Sequence, residues 1–130
     1  MKKKVLLVDD AAFMRMMLKK VLEELNFEIV AEAKSGKEAV RLFKQYKPDL
    51  VTMDISMPEM DGIEATEKII KKDPKAKIII CSALGQKRKI LESVKAGAKD
   101  FILKPFDKEK LYSKIRNLIN LDKSYIRKKV

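Results

Sequence analysis

Histidine and tryptophan are absent from the 130 residues, cysteine occurs once (Cys81), and glycine and proline occur four times each. Without histidine there are no imidazole zinc sites, no Ser–His nucleophiles and no imidazole general base. One cysteine excludes an internal disulfide and reads most simply as a buried strand residue. The scarcity of glycine and proline excludes collagen-like and low-complexity architectures, and no tandem repeat or linker is visible. Only 6% of residues are aromatic, too few for a base-stacking surface. No apolar run approaches a membrane span, the longest being Lys77–Leu84. The Met1-Lys-Lys-Lys start is like a signal n-region, but only Val5–Val8 follows before two aspartates, so a cytoplasmic location and no membrane insertion are expected. Any chemistry therefore falls to carboxylates, lysines, hydroxyls or a hard metal ion.

A chain of this length fits one domain, and 46% hydrophobic residues suffice for a core. The net charge of +11 is uneven: sixteen basic residues face fourteen acidic ones up to Leu84, but fourteen face five from Gly85 onward. That imbalance points either to an anionic partner for the second half or to a lysine-rich solvated surface. Short aliphatic runs alternate with amphipathic stretches. Strands are expected at Val5–Val8, Glu28–Ala31, Leu50–Met53, Ile78–Cys81 and Phe101–Leu103. Helices are expected near Ala12–Leu25, Lys37–Gln45, Ile63–Lys71, Lys87–Lys95 and Lys108–Asn120, with Lys123–Val130 as a basic tail. Ser35-Gly36, Lys47-Pro48, Asp73-Pro74, Ala96-Gly97 and Pro105 punctuate the pattern. Five such βα units imply a doubly wound α/β fold, a parallel sheet with helices on both faces.

In an open parallel sheet, sites form beyond the carboxyl ends of the strands. The first expected strand ends in Asp9-Asp10, the third in Asp54, the fourth in Ser82 and the fifth in Lys104, so all four ends converge on one rim. Clustered carboxylates repel unless a cation joins them, and a small oxygen-only set suits Mg²⁺. The segment Ile55-Ser56-Met57-Pro58 can return the Ser56 carbonyl to such an ion. Phosphoryl transfer demands positioning and charge neutralisation, which a carboxylate nucleophile (Asp54), a hydroxyl donor (Ser82), an ammonium (Lys104) and Mg²⁺ would supply. Each residue also has a plain structural reading: Asp10 as a helix cap, Asp54 as a strand end, Ser82 as a turn residue and Lys104 as a surface lysine. Lys104 is harder to dismiss, because it closes an apolar strand and Pro105 restricts its backbone. In the run Phe13–Leu18, a soft methionine-rich partner surface competes with core packing, and core is favoured.

These pieces together resemble the receiver domains of response regulators over residues 2–120. The resemblance is carried by Val5-Leu-Leu-Val-Asp9-Asp10, Asp49–Pro58, Asp61-Gly62, Cys81-Ser82-Ala83, Ala96-Gly97-Ala98 and Lys104-Pro105-Phe106. More narrowly, Val8–Met17, Met53–Gly62 and Gly97–Phe101 are similar to stand-alone chemotaxis regulators of the CheY type. The resemblance implies a flavodoxin-like sheet of strand order 2-1-3-4-5, carried over from the family rather than read from the residues. It implies Asp54 as phospho-acceptor, with Ser82 and Lys104 assisting, and Mg²⁺ held by Asp10, Asp54 and the Ser56 carbonyl, with Asp9 contributing. It further implies Ser82 and Phe101 as the switch pair. A receiver domain spanning 1–121 and a basic tail at 122–130 follow, as do three kinds of partner: a chemotaxis histidine kinase (CheA type), a motor switch protein or archaeal motor adaptor, and a phosphatase. The chain would catalyse only its own phosphorylation and dephosphorylation.

Three other readings compete with this one. A Mg²⁺-dependent phosphohydrolase of the haloacid-dehalogenase type needs an Asp-x-Asp pair at its nucleophile, and none surrounds Asp54. A basic nucleic-acid-binding module accounts for the charge, but no recognition-helix unit, zinc framework or aromatic strand accompanies it. A receiver in a non-chemotaxis phosphorelay keeps the chemistry and changes only the pathway.

Overall fold

The computed structural model describes residues 2–119, and its elements alternate strictly. In chain order they are β1 (Lys3–Val8), α1 (Ala12–Glu24), β2 (Phe27–Ala33), α2 (Gly36–Tyr46), β3 (Leu50–Asp54), α3 (Gly62–Lys72), β4 (Ile78–Ser82), α4 (Lys87–Lys95), β5 (Asp100–Leu103) and α5 (Lys108–Leu118). Every expected element is present, with boundaries unmoved or shifted by at most two residues. The end of the expected fifth helix at Asn120, the domain limit at 121 and the basic tail lie outside the described residues.

The five strands form one parallel sheet in the order β2-β1-β3-β4-β5. β3 and β4 are buried along their whole length, as their aliphatic sequences require of strands covered on both faces. The edge strands β2 and β5 are only partly buried, so the apolar reading holds in full for the centre of the sheet alone. Between Val5 and Leu6 the β1–β2 register slips, leaving Val30 as an extra residue on the edge strand.

Two apolar cores lie on opposite faces. One joins Val51, Met53, Ile78 and Ile80 to Leu42 and Phe43 of α2, Ala65 and Ile69 of α3, and Ile90 of α4. The other joins Leu50, Ile79 and Cys81 to Leu18 and Leu22 of α1 and to Leu111 and Ile115 of α5. Each fully buried Leu or Ile contributes about 1.5–3 kcal/mol of transfer free energy. The frame is therefore set by burial, and the polar rim is carried on it.

Three helices begin with side-chain caps: Ser35 accepts from the Glu38 N–H, Asp61 from Glu64, and Asp107 from Glu109 and Lys110. Glu38 reaches back past the cap and accepts from the Lys34 N–H at 3.2 Å. Among the described helices, α1 and α4 alone have no side-chain cap. Both start from loops that leave the carboxyl rim of the sheet.

Methionine-rich α1 departs from expectation. Phe13, Met16 and Met17 are 64%, 59% and 39% exposed, while Arg15 is buried in their place at 8%. The inward stripe is Arg15, Leu18 and Leu22, which share one face at helical spacing. Arg15 tolerates burial because its guanidinium is matched, donating to the Asp9 carbonyl at 2.7 Å and to Glu32 at 3.0 Å.

Candidate functional site

Strand register brings the rim residues level. Val8 pairs with Met53, so Asp9 and Asp54 follow side by side; Asp54 in turn pairs with Cys81, and Ser82 with Leu103. Ligand oxygens of Asp9, Asp10 and Asp54 all lie within 4.8 Å of one another. Asp9 and Asp54 are buried and Asp10 is exposed, so the cluster opens to solvent on one side. Asp10 does not cap α1: it is Asp9 whose carboxylate accepts from the Ala11 N–H, at 2.9 Å.

Lys104 reaches back over the rim from the end of β5. Its ammonium lies 2.8 Å from an Asp9 oxygen and 3.4 Å from an Asp54 oxygen, and the Lys104–Pro105 bond is cis. Burial pulls the Lys104 pKa down, but the hydrogen bond to Asp9 and the charges of Asp54 and Asp9 outweigh it, so the net shift is upward. The ammonium is a fixed positive charge. The Asp54 carboxyl is also shifted upward, which for an acid disfavours the charged form, from an ordinary 3.8 to about 6. Burial is the main cause and the neighbouring Asp9 charge the second, with Lys104 offsetting part of both. The site holds more negative charge than one ammonium neutralises, which suits it to a cation or to a group that brings one.

Two glycines let the loop after β3 pack against its surroundings. A Cβ at Gly62 would lie 2.1 Å from the Asp54 carbonyl oxygen, and one at Gly36 would lie 2.2 Å from that of Met60. The N–H groups of the same glycines bind the Ile55 and Met60 carbonyls at 2.8 and 2.9 Å. The backbone leaving Asp54 is thus fixed at both ends of the loop.

Ser82 is fully buried, and its hydroxyl donates to the Gln86 side-chain oxygen at 2.8 Å. The Ala83 N–H donates to the same oxygen at 3.0 Å, and the Gln86 amide donates to the Ser56 hydroxyl at 3.0 Å. Phe101 is half-buried against the α2–α3–α4 core, beside a groove of about 390 Å³ lined by Leu84, Ile90, Leu91 and Leu103 among others. The Lys114 ammonium stands 4.9 Å above the Phe101 ring and pairs with Asp100 at 2.9 Å.

The structure thus brings Asp9, Asp10, Asp54 and Lys104 into one cluster and links Ser56 and Ser82 through Gln86 at the ends of the neighbouring strands, while Phe101 sits on β5, three residues before Lys104. Sequence reasoning missed two residues. Arg15 was legible as a charge on the apolar stripe of α1. Gln86 carried no signal, since a glutamine ahead of a helix commonly faces solvent.

No helix among the described residues is long and apolar enough to cross a membrane. The response regulator receiver domain family model matches residues 5–116. The chain is 60% identical over 106 residues to chemotaxis protein CheY of Thermotoga maritima, covering 82% of this chain and 88% of that one. It is 52% identical to chemotaxis protein CheY of Bacillus subtilis, covering 90% and 98%. Its fold matches a chain in the crystal structure of the CheX-CheY-BeF3-Mg²⁺ complex from Borrelia burgdorferi with a TM-score of 0.85 at 36% identity, covering 89% and 88%. With this sheet order, this carboxylate rim and these relatives, the chain belongs to the response regulator receiver domain family.

Proposed function

We propose that this chain is a single-domain response regulator of chemotaxis. In this reading Asp54 accepts a phosphoryl group from a phospho-histidine kinase of the CheA type, and the phosphorylated protein binds the motor switch or its adaptor. The observation that carries the reading is the setting of Asp54: a buried carboxylate within 4.8 Å of those of Asp9 and Asp10, with an ammonium 3.4 Å away. The CheY relatives and the beryllofluoride-bearing complex of a similar fold support it.

The donor set fits Mg²⁺, a hard ion that takes few carboxylates and keeps waters. Asp9, Asp10, Asp54 and the Ser56 carbonyl would hold it, and when bound it supplies charge neutralisation to the carboxylates and the incoming phosphoryl group. Asp54, as the carboxylate that the cation and Lys104 favour, supplies the attacking oxygen. A P–O bond to Asp54 forms as the P–N bond to the donor imidazole breaks, and the imidazole leaves with its electron pair. Lys104 compensates charge on one phosphoryl oxygen and Ser82 donates to another. The chain takes up one phosphoryl group and later loses it to water, so it acts as a substrate and switch rather than a classical enzyme.

Ser82 moving toward the phosphoryl group would open space that Phe101 fills, and the groove beside Phe101 provides a place for rearrangement. Output would then leave through α4, β5 and α5, where much of the charge imbalance lies. A cytoplasmic location, a receiver domain spanning 1–121 with a basic tail after it, and a dephosphorylating partner belong to the same reading.

The test is to incubate the protein with acetyl phosphate and Mg²⁺ and map the acid-labile adduct. Label is expected on Asp54, and it should be lost on adding EDTA or in Asp54→Asn. Undiminished label in Asp54→Asn would defeat the assignment.

A further inference from the structure

Two donors at the end of β4, the strand next to that of Asp54, are already engaged. The Ser82 hydroxyl and the Ala83 N–H converge on a single acceptor, the Gln86 side-chain oxygen, at 2.8 and 3.0 Å. The other end of that carboxamide is tied to Ser56, two residues past Asp54, at 3.0 Å. The group thus bridges the loops after β3 and β4, which leave the sheet from Asp54 and from just beyond its register partner Cys81. Gln86 also stands at the N-cap position of α4, yet its side chain caps nothing there.

We propose that the Gln86 carboxamide is a built-in stand-in for a phosphoryl oxygen: in the resting molecule it holds the Ser82 and Ala83 donors, and it must be displaced when Asp54 is modified. Gln86 is then a positioning residue that acts through Ser82 and sets how readily the site accepts phosphoryl. The inference rests on Asp54 being the acceptor. Two oriented donors aimed at one point form an oxyanion-type pocket, and a neutral amide oxygen satisfies it without adding charge. Displacement would free the amide from Ser56 as well, so both loops would be released in one event. A hydroxyl serving two acceptors in turn, amide and phosphoryl, gives Ser82 two defined positions without any unsatisfied buried state.

The experiment measures beryllofluoride affinity in the presence of Mg²⁺, and the concentration dependence of acetyl phosphate labelling, for the parent and for Gln86→Met, Ser56→Ala and Ser82→Ala/Gln86→Met. Methionine keeps the length of the side chain but offers no comparable acceptor. Gln86→Met should bind beryllofluoride about threefold to tenfold tighter, since Ser82 keeps only its longer contact to the Ala83 carbonyl at 3.1 Å and the Ala83 N–H loses its acceptor, while affinity for Mg²⁺ alone stays unchanged. Labelling should half-saturate at lower acetyl phosphate, with the saturating rate little altered. Ser56→Ala, which cuts the far tether and keeps the backbone carbonyl, should shift in the same direction by less once its own affinity for Mg²⁺ alone is measured and allowed for, and decides the matter if the methionine variant is unstable. In the Ser82→Ala background the methionine substitution should gain less, because one contested donor is missing. Unchanged or weaker beryllofluoride binding in folded Gln86→Met, or in Ser56→Ala where that variant must decide, overturns the stand-in role while leaving Asp54 as acceptor. Failure of the parent to bind beryllofluoride at Asp54 overturns both.

Discussion

Lys104 donates to Asp9 across 95 residues of sequence, at 2.8 Å, and lies closer to it than to Asp54 at 3.4 Å. The lysine therefore does two things at once: it neutralises a buried carboxylate in the resting molecule and stands ready beside the proposed acceptor. Replacing it separates the two. Lys104→Met leaves Asp9 buried without its cation, which should cost about 2–4 kcal/mol of stability at neutral pH without metal. The same change removes a positive charge from the cation site, so Mg²⁺ should bind several-fold tighter and restore part of the loss. Urea denaturation with and without Mg²⁺ checks both signs.

Asp54 gives a pH signature opposite to that of a salt-bridged carboxylate. Its folded-state pKa of about 6 exceeds its ordinary 3.8, so between these values the native state binds more protons than the unfolded chain. Stability without metal should fall as pH rises through that window and level off above it. Asp54→Asn should be more stable than the parent at pH 7, by up to about 3 kcal/mol, with the advantage gone near pH 4. Saturating Mg²⁺ should shrink or reverse the difference, because the parent gains more from the ion. Denaturation midpoints at four or five pH values, with and without EDTA, provide the measurement.

The basic face of α4 and α5 should act mainly on association rate. Lys87, Arg88 and Lys110 are exposed, whereas Lys114 is held by Asp100 and the Phe101 ring and belongs to the switch rather than to the open charge. Charge reversal at Lys87 and Lys110 should slow binding to the motor component, leaving labelling of Asp54 intact. Affinity should drop with salt in both phosphorylated and unphosphorylated states, since exposed charges are screened beyond about 8 Å at physiological ionic strength. Surface plasmon resonance over a salt series checks this, and salt-insensitive binding would move the interface elsewhere.

Much of this was legible in the sequence, for identifiable reasons. Runs such as Ile78-Ile-Ile-Cys81 have one stable environment, the middle of a covered sheet, so strands and their polar ends followed from composition. The rim residues followed because each ends such a strand. What depends on long side chains meeting across loops was not legible. Nothing local distinguishes Gln86 from a solvated glutamine, and the bridge to Ser56 exists only once β3 and β4 are neighbours. The misjudged face of α1 has a different origin. Hydrophobicity alone placed the Phe13–Leu18 run inward, but the Asp9 carbonyl and Glu32 together outbid the methionines for that position, and Arg15 took it.

Cys81 gives the molecule a clock. The one thiol in the sequence lies opposite Asp54 in the middle of the sheet, buried, with desolvation pushing its pKa up to about 12. A thiol so placed reacts with an alkylating reagent only when the α1 and α5 helices lift from that face of the sheet, because only then is it both reachable and able to ionise. The alkylation half-life therefore reads out how often the face covered by α1 and α5 opens behind the acceptor strand, with no label attached and no residue changed. Any ligand that tightens the rim lengthens that half-life, which turns occupancy of the site into a chemical rate.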